Sequence, residues 1–265
     1  MSSMNSIRAA CLAAALAIPA KAANGMLPKL ADPALQACLD RMLPAHGLRQ
    51  QLSIRVYDQT GSIEESHASM LWKRGPEGRS RLLVRLTAPP MRDGIALLAI
   101  EREDEDPDLF LYMPELKQTR RVSGQTFAGS MLGTDFSYED FTEIHGLVTS
   151  SDIKRREDGV LDGRKVYIVE IVPQLEGTAY SRIVNYIDQA ECLPLRTDFE
   201  ARSGGLQKEL VVDTASIRKL GDRSVPYRVV MEDKRHGTHT ELKLDEVQVD
   251  PDIADSMFSP ASLAR

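Results

Sequence analysis

The chain has 265 residues, 42% hydrophobic and 27% charged, enough to bury a substantial core. Aromatic residues make up only 5%, and the formal charge is −6, which excludes a broad cationic face for nucleic acid.

Residues 1–23 read as a signal peptide rather than as part of the fold. Arg8 supplies a basic start, Ala9 to Ala20 a short apolar run, and Ala20-Lys21-Ala22 a small-x-small cleavage site. The run is too short to span a bilayer, and no later stretch approaches about 18 uninterrupted apolar residues. Arg8 three residues before Cys11 argues against a lipidated start. Loss of Arg8 and Lys21 moves the formal charge from −6 to −8. The expected product is an exported, soluble single domain over 24–265. It keeps Cys38 and Cys192. An oxidising compartment permits a bond between them, but sequence cannot show whether their Cα atoms meet. The expectation is two buried thiols.

The mature chain opens with Asp32 as a helix cap and Pro33 at the first helical position. Leu35, Leu39 and Met42 continue at helical spacing, which predicts a helix over 33–43. From Gln50 the period becomes two. Strands are predicted over 50–57, 66–74 and 79–87, with turns at 58–61 and 75–78. Pro89-Pro90 breaks the run. Residues 94–100 are apolar throughout and predict a strand covered on both faces. The acidic stretch Glu101 to Asp106 is a solvated hairpin tip, not a cation loop.

Leu109 to Phe141 mixes strand, turn, paired cations, small residues and an acidic aromatic end. A strand over 109–113 turns at Pro114 and is followed by a second ending on Arg120 and Arg121. Ser137 and Asp140 have the form of a capping box. One of the arginines is expected to tie down the Asp135–Asp140 turn by a charge-assisted pair. Further strands are predicted over 153–157, 164–172, 180–188, 194–202, 206–217, 226–234 and 240–249. Asp252 is placed to cap a final short helix, with Met257 and Phe258 packing on the sheet. About a dozen short strands at hairpin spacing predict one strongly curved antiparallel sheet or a barrel.

Catalytic signatures are sparse. There is no Gly-x-Ser-x-Gly elbow, no His-Glu-x-x-His and no phosphate-binding glycine loop. His236 and His239 sit at a hairpin tip without a third metal ligand. Ser123 and Ser130 have no histidine placed to activate them. On pattern alone, Phe127, Met131, Leu132 and Phe136 are core residues or the rim of a cavity.

LYMPELKQTRRVSG followed by GSMLGTDFSYEDF resembles the outer membrane lipoprotein-sorting, LolA-like proteins of Gram-negative bacteria. The likeness continues through AYSRIVNYIDQAECLPLRTDF and DSMFSPASLAR. It implies an incomplete, strongly curved antiparallel β-barrel with short covering helices, a periplasmic location and an apolar cavity between barrel and helices. The cavity set it implies is Trp72, Leu97, Phe110, Tyr112, Phe127, Met131, Leu132, Phe136 and Tyr138. The framework it implies is Pro114, Arg120, Arg121, Gly129, Ser130, Gly133, Asp135, Asp140 and Phe141. The expected function is to shield an acylated or other apolar ligand, a lipid or the acyl chains of a lipoprotein. It implies no catalysis, cofactor or metal. The expected partners are an inner-membrane transporter of the resistance-nodulation-division type or an outer-membrane acceptor. A regulatory module binding a protein partner is the alternative, and a hydrolase is less favoured.

Overall fold

The computed structural model of the chain describes residues 32–264, apart from 43, 45, 76, 104–105, 148–150, 175–176 and 222. The expected signal peptide and Cys11 lie outside the described residues.

The first helix, α1, spans Pro33–Met42. The Asp32 carboxylate accepts from the backbone N–H groups of Ala34 at 2.9 Å and Leu35 at 3.1 Å, which holds the first turn. Leu35, Leu39 and Met42 are buried in the main core. Period-two sequence then builds β1 (Gly47–Tyr57), β2 (Ile63–Arg74), β3 (Ser80–Ala88), β4 (Ala96–Ile100), β5 (Asp108–Met113) and β6 (Gln118–Val122). A connecting segment follows, carrying α2 (Tyr138–Ile144). The second half gives β7 (Ser151–Arg155), β8 (Gly159–Leu161), β9 (Arg164–Pro173), β10 (Tyr180–Asp188), β11 (Leu193–Ala201) and β12 (Leu206–Val212). It ends with β13 (Ile217–Leu220), β14 (Arg223–Pro226), β15 (Arg228–Asp233) and β16 (Thr238–Val249).

The main sheet runs β6-β5-β4-β3-β2-β1-β16-β15-β12-β11-β10-β9-β7, with β8 also on β9, and its neighbours pair antiparallel. The first meander therefore ends at one edge, β6, and the second begins at the opposite edge, β7. The two meet where β1 pairs with β16. The sheet is curved and not closed. The segment between β6 and β7 crosses its inner face.

Alternation divides the apolar residues between two faces. On β4, Leu97 and Ala99 join the main core under α1 and α2. Ala96 and Leu98 join a second cluster with Leu71, Leu83 and Tyr112. The C-terminal segment covers that second face through Ile253, Phe258 and Leu263. Lys73 donates to the Ile253 carbonyl at 2.6 Å and Arg85 to that of Leu263 at 3.1 Å, fixing the segment in place. The double burial expected for 94–100 is what β4 has.

Four expectations change. Cys38 and Cys192 form a disulfide, Cα to Cα 4.9 Å, which ties α1 to the turn before β11. The fold makes them neighbours although 154 positions separate them. Opening it by Cys192→Ser should lower unfolding stability by about 2–4 kcal/mol in denaturant titrations. The single strand expected over 206–217 is broken after Val212. Asp213 accepts from the Ala215 N–H at 3.0 Å and starts a short 3₁₀ turn, from which β13 and β14 leave as a separate hairpin. Asp252 caps nothing. The short 3₁₀ turn there begins at Asp255, after Ala254. Phe258 is buried as expected, whereas Met257 is 40% exposed.

Candidate ligand cavity

The segment crossing the inner face is a lid built from a miniature hairpin and α2. Ser130 and Ser137 form a β-bridge. Inside it the Met131 N–H donates to the Phe136 carbonyl at 2.7 Å. The tip residues Leu132 (φ +53°) and Gly133 (φ +76°) both take the left-handed conformation that such two-residue turns require. A leucine there carries a cost of roughly 1–2 kcal/mol. Arg92 offsets it by donating to the Leu132 carbonyl, while its other nitrogen donates to Ser66 Oγ at 3.0 Å. After the hairpin, Ser137 and Asp140 form the expected capping box. The Ser137 hydroxyl accepts from the Asp140 N–H at 3.0 Å, and the Asp140 carboxylate accepts from the Ser137 N–H at 2.7 Å.

The lid is pinned to the sheet by its own carboxylates. Asp135 accepts from the Thr238 hydroxyl and from Thr240 Oγ1 at 2.6 Å on β16. Glu139 accepts from the Thr178 hydroxyl and from the Ala179 N–H at 3.0 Å. Asp140 accepts from Lys208 Nζ at 2.7 Å on β12 and from Tyr180 Oη at 2.5 Å on β10. Asp140 and Glu139 are fully buried. Burial, and then the Asp140 charge, push the Tyr180 phenol up. Burial likewise raises the Glu139 carboxyl.

This corrects the role expected for the arginine pair. Arg121 pairs with Asp108 at 2.5 Å and Arg120 bonds the Gln118 side chain at 3.1 Å, both exposed on an edge strand. The cation that frames the turn is Lys208. Its alternation partners Leu210 and Val212 are buried, so Lys208 is a charge at an inward position. That misplaced charge is the signal the sequence carried. Pro114 opens the β5–β6 turn, and Gly129 leads into the bridge.

Glu143 and His145, on and just after α2, are buried without charge partners. Burial, reinforced by Glu139 and Asp140, pushes the Glu143 carboxyl up to about 8. Burial pushes His145 down to about 4, against a hydrogen bond to the Phe141 carbonyl. The signs give a pH profile. Folded Glu143 keeps a proton that the unfolded chain loses above about 4.5, so its contribution falls as pH rises from 4.5 to about 8. Folded His145 lacks a proton that the unfolded chain gains below about 6.5, so its contribution falls as pH drops from 6.5 to about 4. The two slopes oppose between 4.5 and 6.5, and Glu143 acts alone above. Stability should therefore drop by about 2 kcal/mol from pH 6.5 to 8, at 1.36 kcal/mol per unit. Thermal melts should show the slope, and Glu143→Gln should flatten it.

Between lid and sheet lies a cavity of about 80 Å³. The sheet side is Gln50, Leu52 and Ile54 of β1, Met70 of β2, Val84 of β3, Leu210 of β12, Val229 of β15, and Leu242 and Leu244 of β16. The lid side is Met131, Leu132, Thr134, Phe136, Phe141, Ile144 and His145. No charged side chain lines it. By comparison, an engineered apolar cavity of about 150 Å³ admits benzene. The closed lid thus leaves room for a short apolar group, and a larger ligand requires the lid to shift.

Of the residues expected at the cavity, Met131, Leu132 and Phe136 line it. Phe141, expected in the framework, lines it too. The other six sit elsewhere. Trp72, Leu97 and Tyr138 are buried in the main core, and Phe127 packs against that core. Phe110 and Tyr112 alternate with Leu109 and so face the second cluster on the opposite side of β5. The sheet-side residues were missed, because period two marks an inward residue but not one left uncovered.

A family model described as "Uncharacterized protein" matches residues 78–265. The chain belongs to this family, and its fold is LolA-like. A domain named for outer membrane lipoprotein sorting, from Vibrio parahaemolyticus, is 21% identical with a TM-score of 0.79, the match covering 88% of this chain and 97% of that one. A DUF1329 family protein from Desulfovibrio piger is 21% identical with a TM-score of 0.78, covering 87% and 97%. A LolA superfamily protein from Nitrosomonas europaea is 20% identical with a TM-score of 0.67, covering 85% and 97%. No curated protein sequence matches. The LolA-like fold explains the open curved sheet and the helices on its inner face. Among the described residues, no helix is long and apolar enough to cross a membrane, and no group of three or more His, Cys, Asp or Glu is placed to hold a metal ion.

Proposed function

We propose that this LolA-like protein is a periplasmic carrier that shields the apolar part of a lipid or lipoprotein between two membranes, without catalysis. The observation that carries the reading is the cavity between sheet and lid, with its almost wholly apolar lining. Burial of apolar chain contributes about 0.8 kcal/mol per CH₂, so such a ligand leaves a membrane for water only if something covers it. The names of the similar structures, lipoprotein sorting among them, support the same reading. Residues 1–23 supply the export signal, and an inner-membrane transporter or outer-membrane acceptor is the source or destination of the cargo.

Native mass spectrometry after gentle purification should find a co-purifying lipid. A neutral fluorescent probe such as N-phenyl-1-naphthylamine should bind saturably and be displaced by lipid extract. Protein that carries no lipid and shows no saturable probe binding would overturn the carrier reading.

A further inference from the structure

Two side chains in the cavity wall break its apolar character. Gln50 lies on β1 between Leu48 and Leu52 in the alternation and is fully buried. Neither its amide oxygen nor its amide nitrogen has a hydrogen-bond partner. His145 closes α2 and is 7% exposed. Its Nδ1 lies 2.7 Å from the Phe141 carbonyl, and its Nε2 has no partner. A carbonyl oxygen can only accept, so Nδ1 carries the hydrogen and Nε2 of the neutral ring is an acceptor. Thr134, the third polar residue in the wall, is satisfied within the lid. Its hydroxyl donates to the Met131 carbonyl at 2.7 Å and accepts from the Phe136 N–H.

A buried polar atom without a partner costs about 1–3 kcal/mol. Gln50 and His145 together leave one NH₂ group, with two N–H donors, and two acceptor atoms uncommitted in the wall of a single cavity. The anchoring charges, Asp140 with Lys208 and Asp135 with its threonines, are satisfied outside this wall. A carboxylate or phosphate entering the cavity would meet no cation. An ammonium would meet no anion. Burying an unpaired charge is far more costly than burying a hydroxyl.

We infer that the cavity takes a neutral amphiphile, its apolar body against sheet and lid, and its hydroxyl or amide group donating to His145 Nε2 and pairing with the Gln50 amide. This rests on the carrier reading and narrows its ligand class. It separates the ligand from a free fatty acid, whose head is charged at neutral pH. It also separates it from a bare hydrocarbon, which would leave both side chains unanswered.

The test is displacement of N-phenyl-1-naphthylamine at pH 8 by 1-decanol, decane and decanoate. On the unaltered protein, decanol should bind at least tenfold more tightly than decanoate. Gln50→Leu should change the decanol-to-decane affinity ratio at least tenfold in favour of decane, and His145→Phe should act in the same direction. Decanoate binding as tightly as decanol would overturn the inference on the unaltered protein alone. So would a decanol-to-decane ratio unmoved by both substitutions. In either case the carrier reading survives. If the probe binds saturably but none of the three compounds displaces it, the inference falls alone; if the probe does not bind and no lipid co-purifies, the carrier reading falls with it.

Discussion

Replacing Lys208 by alanine should destabilise the protein by about 3–5 kcal/mol, the cost of leaving a buried charge without its partner. Asp140 is fully buried and Lys208 nearly so, with 2.7 Å between Nζ and the carboxylate. The same carboxylate also closes the capping box of α2 and accepts from Tyr180. Without Lys208, the charge that organises these bonds has no counter-ion. Asp140→Ala should cost a similar amount, since it strands Lys208 and removes the cap as well. The double variant Asp140→Leu/Lys208→Met should recover much of the loss, because neither charge then remains buried. Urea unfolding of the single and double variants gives the coupling directly. Single variants within 1 kcal/mol of the parent would show that water already reaches the pair.

Filling the cavity should abolish ligand capture while the fold persists. Met70 is 5% exposed and stands in the cavity wall on β2. Tryptophan at this position occupies the space left between sheet and lid. The expected result for Met70→Trp is at least a tenfold loss of probe affinity. Overpacking should cost about 1–3 kcal/mol, which leaves the protein folded. Unchanged probe affinity in a folded Met70→Trp protein would place the binding site elsewhere on the molecule.

The features legible in the sequence were those set by near neighbours. Alternation marked most strands, and the Ser137–Asp140 spacing marked the cap of α2, because each depends on residues a few positions apart. The anchors of the lid were not legible in this way. Asp140 reaches Lys208 across 68 positions and Asp135 reaches Thr240 across 105. Arg120 and Arg121 were nearer in the chain, and proximity favoured the wrong cations. The disulfide escaped for the same reason. On the lid side, Met131, Leu132 and Phe136 stood out as apolar residues in a loop of small ones, but that pattern fits core as well as cavity rim, and only the family resemblance placed them at the cavity. The sheet half was not legible, since Leu52, Leu210 and Leu244 look like any inward strand residues. Gln50 was the exception in plain view, a polar residue where the alternation demands an apolar one.

The route of the lid has a mechanical consequence. Its segment leaves the sheet at β6 and rejoins it at β7, and these are opposite free edges of the same sheet. It therefore works as a belt across an open hoop. Spreading the edges draws the belt taut over the hollow, and bringing them together gives it slack. Its polar fastenings reach both meanders: Leu132 to Arg92 in the β3–β4 connection of the first, and Asp135, Glu139 and Asp140 to Thr240, Ala179 and Lys208 of the second. A bulky occupant must either stretch the hoop or undo a fastening. A force that bends one edge of the sheet thereby pulls on the cover of the cavity without touching what lies inside.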